Sequence, residues 1–421
     1  VNEKRLLVSL PGHAVGQLGQ NRAGLVQWIP GKAWERDGQM PRLGLDFLRK
    51  LGPREHASDL PAWFENLLPE RESELRARLC QHHGLRDGQS FALLRAVGHD
   101  LIGAAEARDA IVPHDHAASA EVPTNPTEPQ NEGESHTPDR LSALTGMQLK
   151  FSMSMVNERL VLPAVSTHTQ WIVKLAGRDY DELAEVEDAT MTWASVARFE
   201  VPQHFVAPFA ELRGLPHDWI VRQAPAFAIK RFDRRDDGTK VHQEDLCQAL
   251  DLRPQNKYGD RGPRVSFEGA LRLVVDACGD ADGREMARRL GFMIASGNSD
   301  AHLKNWSIVW GDSTRPRLAP CYDLVATVSW EPLGWRRPDG PQLALRLGGE
   351  LLFKRLTSEA LDRCARDTGI AWLKDSVLEG VERARMAWPE VAGAAPRRMR
   401  DAVIEHWVKV PVLRSLGPLT L

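Results

Sequence analysis

Ser296-Gly297-Asn298-Ser299-Asp300-Ala301-His302-Leu303-Lys304-Asn305, followed further on by Ala319-Pro320-Cys321-Tyr322-Asp323-Leu324, spaces a carboxylate, an amide and a second carboxylate in a distinctive order. Asp300 and Asn305 stand five residues apart, and Asp323 follows a short hairpin-like segment. Phosphoryl transfer to a hydroxyl calls for these residue types. A carboxylate accepts the hydroxyl proton, and magnesium takes hard oxygen ligands together with the phosphates of the substrate. Asp and Asn are also common in polar loops that cap helices. Taken alone, Asp-x-His-x-x-Asn leaves the two readings close, and the flanking sequence decides between them.

Upstream of the loop, residues 149–155, 159–162, 170–175, 205–208, 219–223 and 226–232 read as strands. Residues 181–199 form an amphipathic helix with Leu183, Val186, Met191, Ala194 and Ala197 on one face. Asp236-Asp237-Gly238 is a hairpin-type turn. From Gln243 onward the pattern is mainly helical, with helices expected over 244–249, 267–277, 284–296, 357–368, 372–388 and 395–408. A sheet with one helix, then a helical lobe with the Asp/Asn loop behind one of its helices, is the layout of a protein kinase. There the Asp is the base, the Asn five residues on holds magnesium, and a later Asp takes the metal too. The expected fold is α+β and two-lobed, with a mixed-sheet N-lobe over 140–235 and a helical C-lobe over 236–421.

Residues 111–139 are rich in Pro, Ala, Ser, Thr, Asn and Glu, with almost no large apolar side chain. Such a segment buries too little surface to offset its ordering entropy and reads as a linker or long loop. The residues before it, 1–110, read as a small α/β subdomain with short strands at 6–10, 16–18 and 24–29 and helical spacing over 63–68, 72–80 and 91–97. It shows no catalytic cluster and is expected to be a structural or partner-binding module.

Further residues sit where a nucleotide site needs them. Lys174 ends the apolar strand Trp171-Ile172-Val173-Lys174. Its ammonium either reaches solvent or meets an anion such as a nucleotide phosphate. Glu187 on the next helix is a candidate partner for Lys174, with Glu185 as the rival. Ser142-Ala143-Leu144-Thr145-Gly146-Met147-Gln148-Leu149-Lys150 precedes the first strand of the lobe and reads as a phosphate-covering loop, or as a plain turn at its single glycine. Lys230-Arg231-Phe232-Asp233-Arg234 joins the lobes, either as an adenine edge or as a charged connector.

Composition narrows the class. The chain of 421 residues is 42% hydrophobic and 26% charged, with a net charge of −3, which fits a soluble globular protein and argues against a generally nucleic-acid-coating surface. Five cysteines lack any C-x-x-C spacing and read as reduced thiols. No apolar run approaches a membrane span and no signal-peptide pattern is present, so a cytoplasmic location is expected. The chain begins at Val1, as if the initiator Met had been removed or left out of the numbering.

Thr145-Gly146-Met147-Gln148-Leu149-Lys150, Lys174, Arg231-Phe232-Asp233-Arg234, His242-Gln243-Glu244-Asp245, the Gly297–Asn305 loop and Tyr322-Asp323 together resemble the HipA family, bacterial serine/threonine kinases that act as toxins of toxin–antitoxin pairs. Trp63-Phe64-Glu65-Asn66-Leu67-Leu68-Pro69-Glu70 and Val97-Gly98-His99-Asp100-Leu101-Ile102-Gly103-Ala104 are similar to that family's N-terminal subdomain.

The resemblance implies ATP and Mg²⁺ as cofactors and Asp300 as catalytic base, with Asn305 and Asp323 on the metal. His302, Leu303, Lys304 and Tyr322 would lie beside the nucleotide, and Lys174 with residues 145–150 would lie at the phosphates. Lys230, Arg231 and Phe232 would meet the adenine, mainly through backbone atoms. Family members often carry a loop serine whose autophosphorylation ejects the phosphate loop. That position is Ala143 here, so Ser142 or Thr145 would take the phosphate, or the switch is absent. The implied partners are a helix-turn-helix, HipB-like antitoxin, operator DNA mainly through that antitoxin, and a cytosolic protein substrate of the aminoacyl-tRNA synthetase kind, whose modification arrests growth. Two alternatives remain at this point: a corepressor that acts mainly by binding the antitoxin, and a small-molecule kinase like the phosphoinositide kinases.

Overall fold

Leu6, Val8 and Leu10 turn alternately inward along the strand Lys4–Leu10, which pairs antiparallel with His13–Gln20 and Glu106–Asp109. Val26–Pro30 and Arg54–His56 complete a five-stranded sheet. Its core is aromatic: Trp28 meets Phe64 with ring centroids 5.4 Å apart, and Trp34, Phe47 and Trp63 close the cluster. The computed structural model describes residues 4–36, 41–50, 52–56, 60–110, 144, 148–163, 169–178, 180–259, 265–311, 315–330 and 340–419. The expected linker, 111–139, lies outside them.

A second sheet of six strands runs in the order Leu212–Arg213, Arg159–Val161, Lys150–Val156, Trp171–Lys174, Ala226–Lys230, His204–Ala207. Strand pleating divides its side chains between two cores. Phe151, Met153, Trp171, Val173, Ala226 and Ala228 share a core with the first sheet. Phe227 and Ile229 face the other way, onto the helix Leu183–Val196 and the helical lobe. Lys150 and Lys174 have the parity of this second face.

The helical lobe is built around Asp280–Ser296 and Leu373–Val391, which cross closely enough that a Cβ on Gly291 or Gly380 would run into the facing backbone. Asp280–Ser296 ends at Gly297, whose φ of 66° gives the left-handed cap that turns the chain into the Asp300 loop. Overall this is a two-lobed, protein-kinase-like α+β fold carrying an N-terminal α/β unit.

Three local expectations need correction. No strand forms over 219–223; His217–Trp219 is a 3-10 turn after Pro216, and Trp219 is buried against Phe151 rather than paired in a ladder. The segment read as a helix from Glu244 begins as the strand His242–Asp245, paired with Ser307–Trp310, and only Leu246–Ala249 is helical, behind an Asp245/Gln248 capping box. The C-lobe is therefore not purely helical. Arg317–Leu318 extends that pair to three strands, and Gln342–Leu347 pairs with Glu350–Leu352. Among the described residues no helix is long and apolar enough to cross a membrane.

Candidate active site

Lys174 lies directly opposite Lys150 in the register of their antiparallel strands, so the pleat sends both ammonium groups off one face toward the helix Leu183–Val196. Glu187 of that helix meets Lys174, with Oε1 2.5 Å from Nζ. Glu187, not Glu185, is the partner. On its other side Lys174 contacts Asp323 Oδ1. Burial opposes the Lys174 charge, yet Asp323 and Glu187 outweigh it and hold its pKa above the ordinary lysine range. Burial likewise works against ionised Asp323, but Lys174 and Lys150 keep its carboxyl well below the usual range. Glu187 shares an ammonium already claimed by Asp323, and burial pushes it up to about 7. Burial pulls Lys150 down to about 8, against the attraction of Asp323. Asp323 sits at φ 55°, a left-handed conformation uncommon outside glycine and typical of strained functional positions.

Below this pair the Asp300 loop is held by its own polar side chains. Asn298 Oδ1 accepts from the Asp300 amide at 2.9 Å, and Asn305 Nδ2 donates to the Asp300 carbonyl at 2.7 Å, leaving Asn305 Oδ1 as an acceptor. The Asp300 carboxylate is half-exposed on the cleft floor and accepts from the Tyr258 hydroxyl at 2.7 Å. Its enclosed position pushes it up to about 6, against the pull of Tyr258 and Lys257. His302 Nε2 stands 4.0 Å from Asp300; burial and then Lys257 hold the imidazole well below its ordinary pKa, so it is neutral.

These groups open into one cleft of about 270 Å³ between the lobes. Of the residues singled out from sequence, Gln148, Lys150, Lys174, Lys230, Arg231, Phe232, Asp300, His302, Lys304, Asn305, Tyr322 and Asp323 line it. Leu149 and Leu303 do not; both are buried in the hydrophobic cores, because an apolar side chain next to a site gains more there than beside phosphates. Thr145, Gly146, Met147, Ser142 and Ala143 lie outside the described residues. At three of the lining positions the side-chain charge is already engaged by a protein partner. Arg231 is spent on Asp233 and Ser152, and Lys230 reaches Asp236. Lys304 is turned into a buried pair with Asp245 at 2.8 Å.

Asn66, Glu70, Asp245, Lys257 and Tyr258 also belong to the site, and the sequence reading did not assign them to it. Asn66 Oδ1 accepts from Lys304 at 2.9 Å, and Glu70 pairs with Lys257 at 2.9 Å. The N-terminal unit thus forms part of the cleft wall. Asn66, Glu70 and Asp245 fall in the stretches 63–70 and 242–245 that resemble the HipA family, and a polar Asn and Glu flanking the apolar Leu67-Leu68-Pro69 need partners when buried.

Residues 142–397 match the family model of the HipA-like C-terminal domain, and residues 6–108 match that of the HipA N-terminal domain. The protein named "Putative kinase Y4dM" of Sinorhizobium fredii is 33% identical over 427 residues, covering 97% of this chain and 98% of that protein. The serine/threonine-protein kinase toxin HipA of Shewanella oneidensis is 26% identical over 299 residues, 65% of each chain. A chain from the Shewanella oneidensis structure of HipA, HipB and its operator DNA superposes with a TM-score of 0.68 at 22% identity, covering 95% of this chain and 94% of that one, and so shares the fold. Both family regions occur in order and a relative one third identical spans nearly the whole length: the chain belongs to the HipA family.

Proposed function

We propose that the protein is an ATP-dependent serine/threonine protein kinase whose phosphotransfer site is the cleft of Lys174, Asp300 and Asp323. The observation that carries this reading is the contact of one buried lysine with both Glu187 and Asp323 above the Asp300 loop. A buried ammonium held by two carboxylates is weak as a stabilising device, whereas a triphosphate site needs it.

Asp300 accepts the proton of the incoming Ser or Thr hydroxyl, and a pKa of about 6 leaves it ionised but basic at neutral pH. Tyr258 fixes its orientation. Lys174 and Lys150 bind phosphate oxygens, and residues 145–150 cover them. The amides of Lys230 and Arg231 are spent on the carbonyls of Gln203 and Gln170, so the Phe232 amide, which makes no backbone bond among the described residues, is the donor for an adenine edge. Asp323, held ionised, and the Oδ1 of Asn305 would hold magnesium, an ion that takes few protein ligands together with substrate phosphates and water. Magnesium, when bound, neutralises phosphate charge.

The relatives extend the proposal to biology. One is a toxin by name, and a solved complex of that system joins HipA to HipB and operator DNA. We assign this chain the same kind of partner, a HipB-like helix-turn-helix antitoxin on operator DNA. Its substrate would be a cytoplasmic protein such as an aminoacyl-tRNA synthetase, with growth arrest as the outcome and Ser142 or Thr145 as self-modification sites. The test is quantitative phosphoproteomics after brief expression of wild type and Asp300→Asn, with radiolabelled magnesium-ATP assays on the purified proteins. Wild type should add phosphate to Ser or Thr and the variant should not. Equal labelling by both would remove Asp300 from this role.

A further inference from the structure

Asn66 and Glu70 follow the short helix Ala62–Glu65 of the N-terminal unit, yet their side chains are committed to the helical lobe. Asn66 Nδ2 donates to the Leu252 carbonyl at 2.7 Å, and its Oδ1 and main-chain oxygen accept from Lys304 at 2.9 and 3.2 Å. Glu70 grips Lys257 through both oxygens, at 2.9 and 3.1 Å. Both residues are almost wholly buried. Lys257 is in turn joined to the Asp300 loop twice: its carbonyl accepts from the Leu303 amide at 3.0 Å, and its neighbour Tyr258 holds the Asp300 carboxylate. Lys304 lies within that loop. Two contacts therefore run from the N-terminal unit to the segment that carries Asp300, one directly at Lys304 and one through Lys257 to Leu303 and, by way of Tyr258, to Asp300. Neither touches the nucleotide-side pair of Lys174 and Glu187.

We propose that Asn66 and Glu70 are positioning residues for phosphotransfer, clamping the Asp300 loop from the N-terminal unit. The clamp deepens the kinase reading and rests on it for its catalytic consequence. Lys257 and Lys304 are long, flexible cations, and an ammonium buried without its carboxylate seeks another. Without Glu70, Lys257 is left beside Asp300, the carboxylate that must be free to accept a proton. Without the Asn66 side chain, Lys304 keeps Asp245 and the main-chain oxygen of residue 66 but loses the shorter half of its tie across the interface. Displacement of the base by about 1 Å lowers turnover by about 100-fold, whereas neither residue takes part in the Lys174, Glu187 and Asp323 contacts at the nucleotide end of the cleft. Asn66 and Glu70 thus act on kcat, not on KM for ATP.

The experiment compares full-length wild type, Asn66→Ala, Glu70→Gln, Glu70→Gln/Lys257→Met and the exposed-site control Glu72→Gln. Hydrogen exchange follows the amides of 299–305 against the helix Asp280–Ser296. In parallel, ADP release from magnesium-ATP is measured with a serine/threonine peptide library. The clamp predicts faster exchange over 299–305 in the first three variants with the helix unchanged, kcat down about 10- to 100-fold, and KM for ATP within about twofold of wild type. The double variant removes the stray charge, so its melting temperature returns toward wild type while its kcat stays low. Unchanged exchange over 299–305 in both single variants overturns the clamp, as does recovery of kcat together with stability in the double variant. Faster exchange in a protein whose wild type transfers no phosphate supports the clamp and counts against the kinase reading.

Discussion

The hydroxyl of Tyr258 donates to Asp300 Oδ1 at 2.7 Å, from a turn 42 residues upstream. The bond favours the ionised carboxylate, while enclosure in the cleft favours the neutral acid and prevails, with the pKa at about 6. Only the ionised form accepts a proton, so kcat/KM should fall as pH drops through about 6. Tyr258→Phe removes a bond that lowers the pKa, so the limb should move to higher pH by about half to one unit. Profiles of kcat/KM from pH 5 to 8 for the two proteins decide this. Superimposable limbs would mean that Tyr258 does not act on the base.

Glu187 and Glu185 lie two residues apart on one helix, and only Glu187 is turned inward to Lys174. Glu187→Gln leaves the ammonium to Asp323 alone and tightens a contact that a metal and a triphosphate must open. The expected result is a fall in kcat/KM of at least about 10-fold, against a change within about twofold for Glu185→Gln. Equal effects from the two substitutions would show that the pair is not used in turnover.

Asp323→Asn tests the metal assignment with little disturbance of the backbone, because Asn tolerates the left-handed conformation that Asp323 adopts at φ 55°. Wild type should bind ATP more tightly with magnesium than without it. In the variant the two affinities should converge, since a neutral amide is a poor substitute for a carboxylate on a divalent ion. Calorimetry with and without magnesium measures both, and a magnesium dependence equal to that of wild type would move the metal elsewhere.

What the sequence made legible was local. Asp300 and Asn305 carry their meaning in a spacing of five residues, and Lys174 in its place at the end of an apolar strand. Choosing Glu187 over Glu185 needed the helix in place, since helical periodicity shows which face is apolar but not which glutamate a lysine on a neighbouring strand can reach. The clamp was less accessible still. Glu70 and Lys257 are 187 residues apart, and no periodicity links two polar residues that meet only because two units share an interface. The strand His242–Asp245 was hidden for a similar reason. Its four residues are polar or charged, yet all are buried, and pairing with Ser307–Trp310 serves the backbone. The side chains of His242, Glu244 and Asp245 find partners at Leu43, Trp63 and Lys304, and Gln243 Oε1 has no partner among the described residues. Trp219 misled in the opposite sense, because an aromatic residue in an apolar run can be buried without joining a ladder.

Lys150 offers a test that does not depend on turnover. Burial brings it down to about 8, so near that pH about half the molecules carry a neutral amine opposite Lys174. A triphosphate arriving beside it favours the charged form and raises its pKa. Binding of magnesium-ATP at pH 8 to 8.5 should therefore take up a fraction of a proton at Lys150. At pH 6.5 Lys150 is already charged in both states and should contribute nothing. Glu187, at about 7, lines the same cleft and can add its own uptake, so the comparison must be with Lys150→Met. Calorimetric binding enthalpies in buffers of different ionisation enthalpy give the proton count as a slope. The slope at pH 8.5 should be clearly positive for wild type and smaller for Lys150→Met, with the difference vanishing at pH 6.5. Identical slopes for the two proteins at pH 8.5 would place Lys150 away from the phosphates and leave Lys174 as the lysine that meets them.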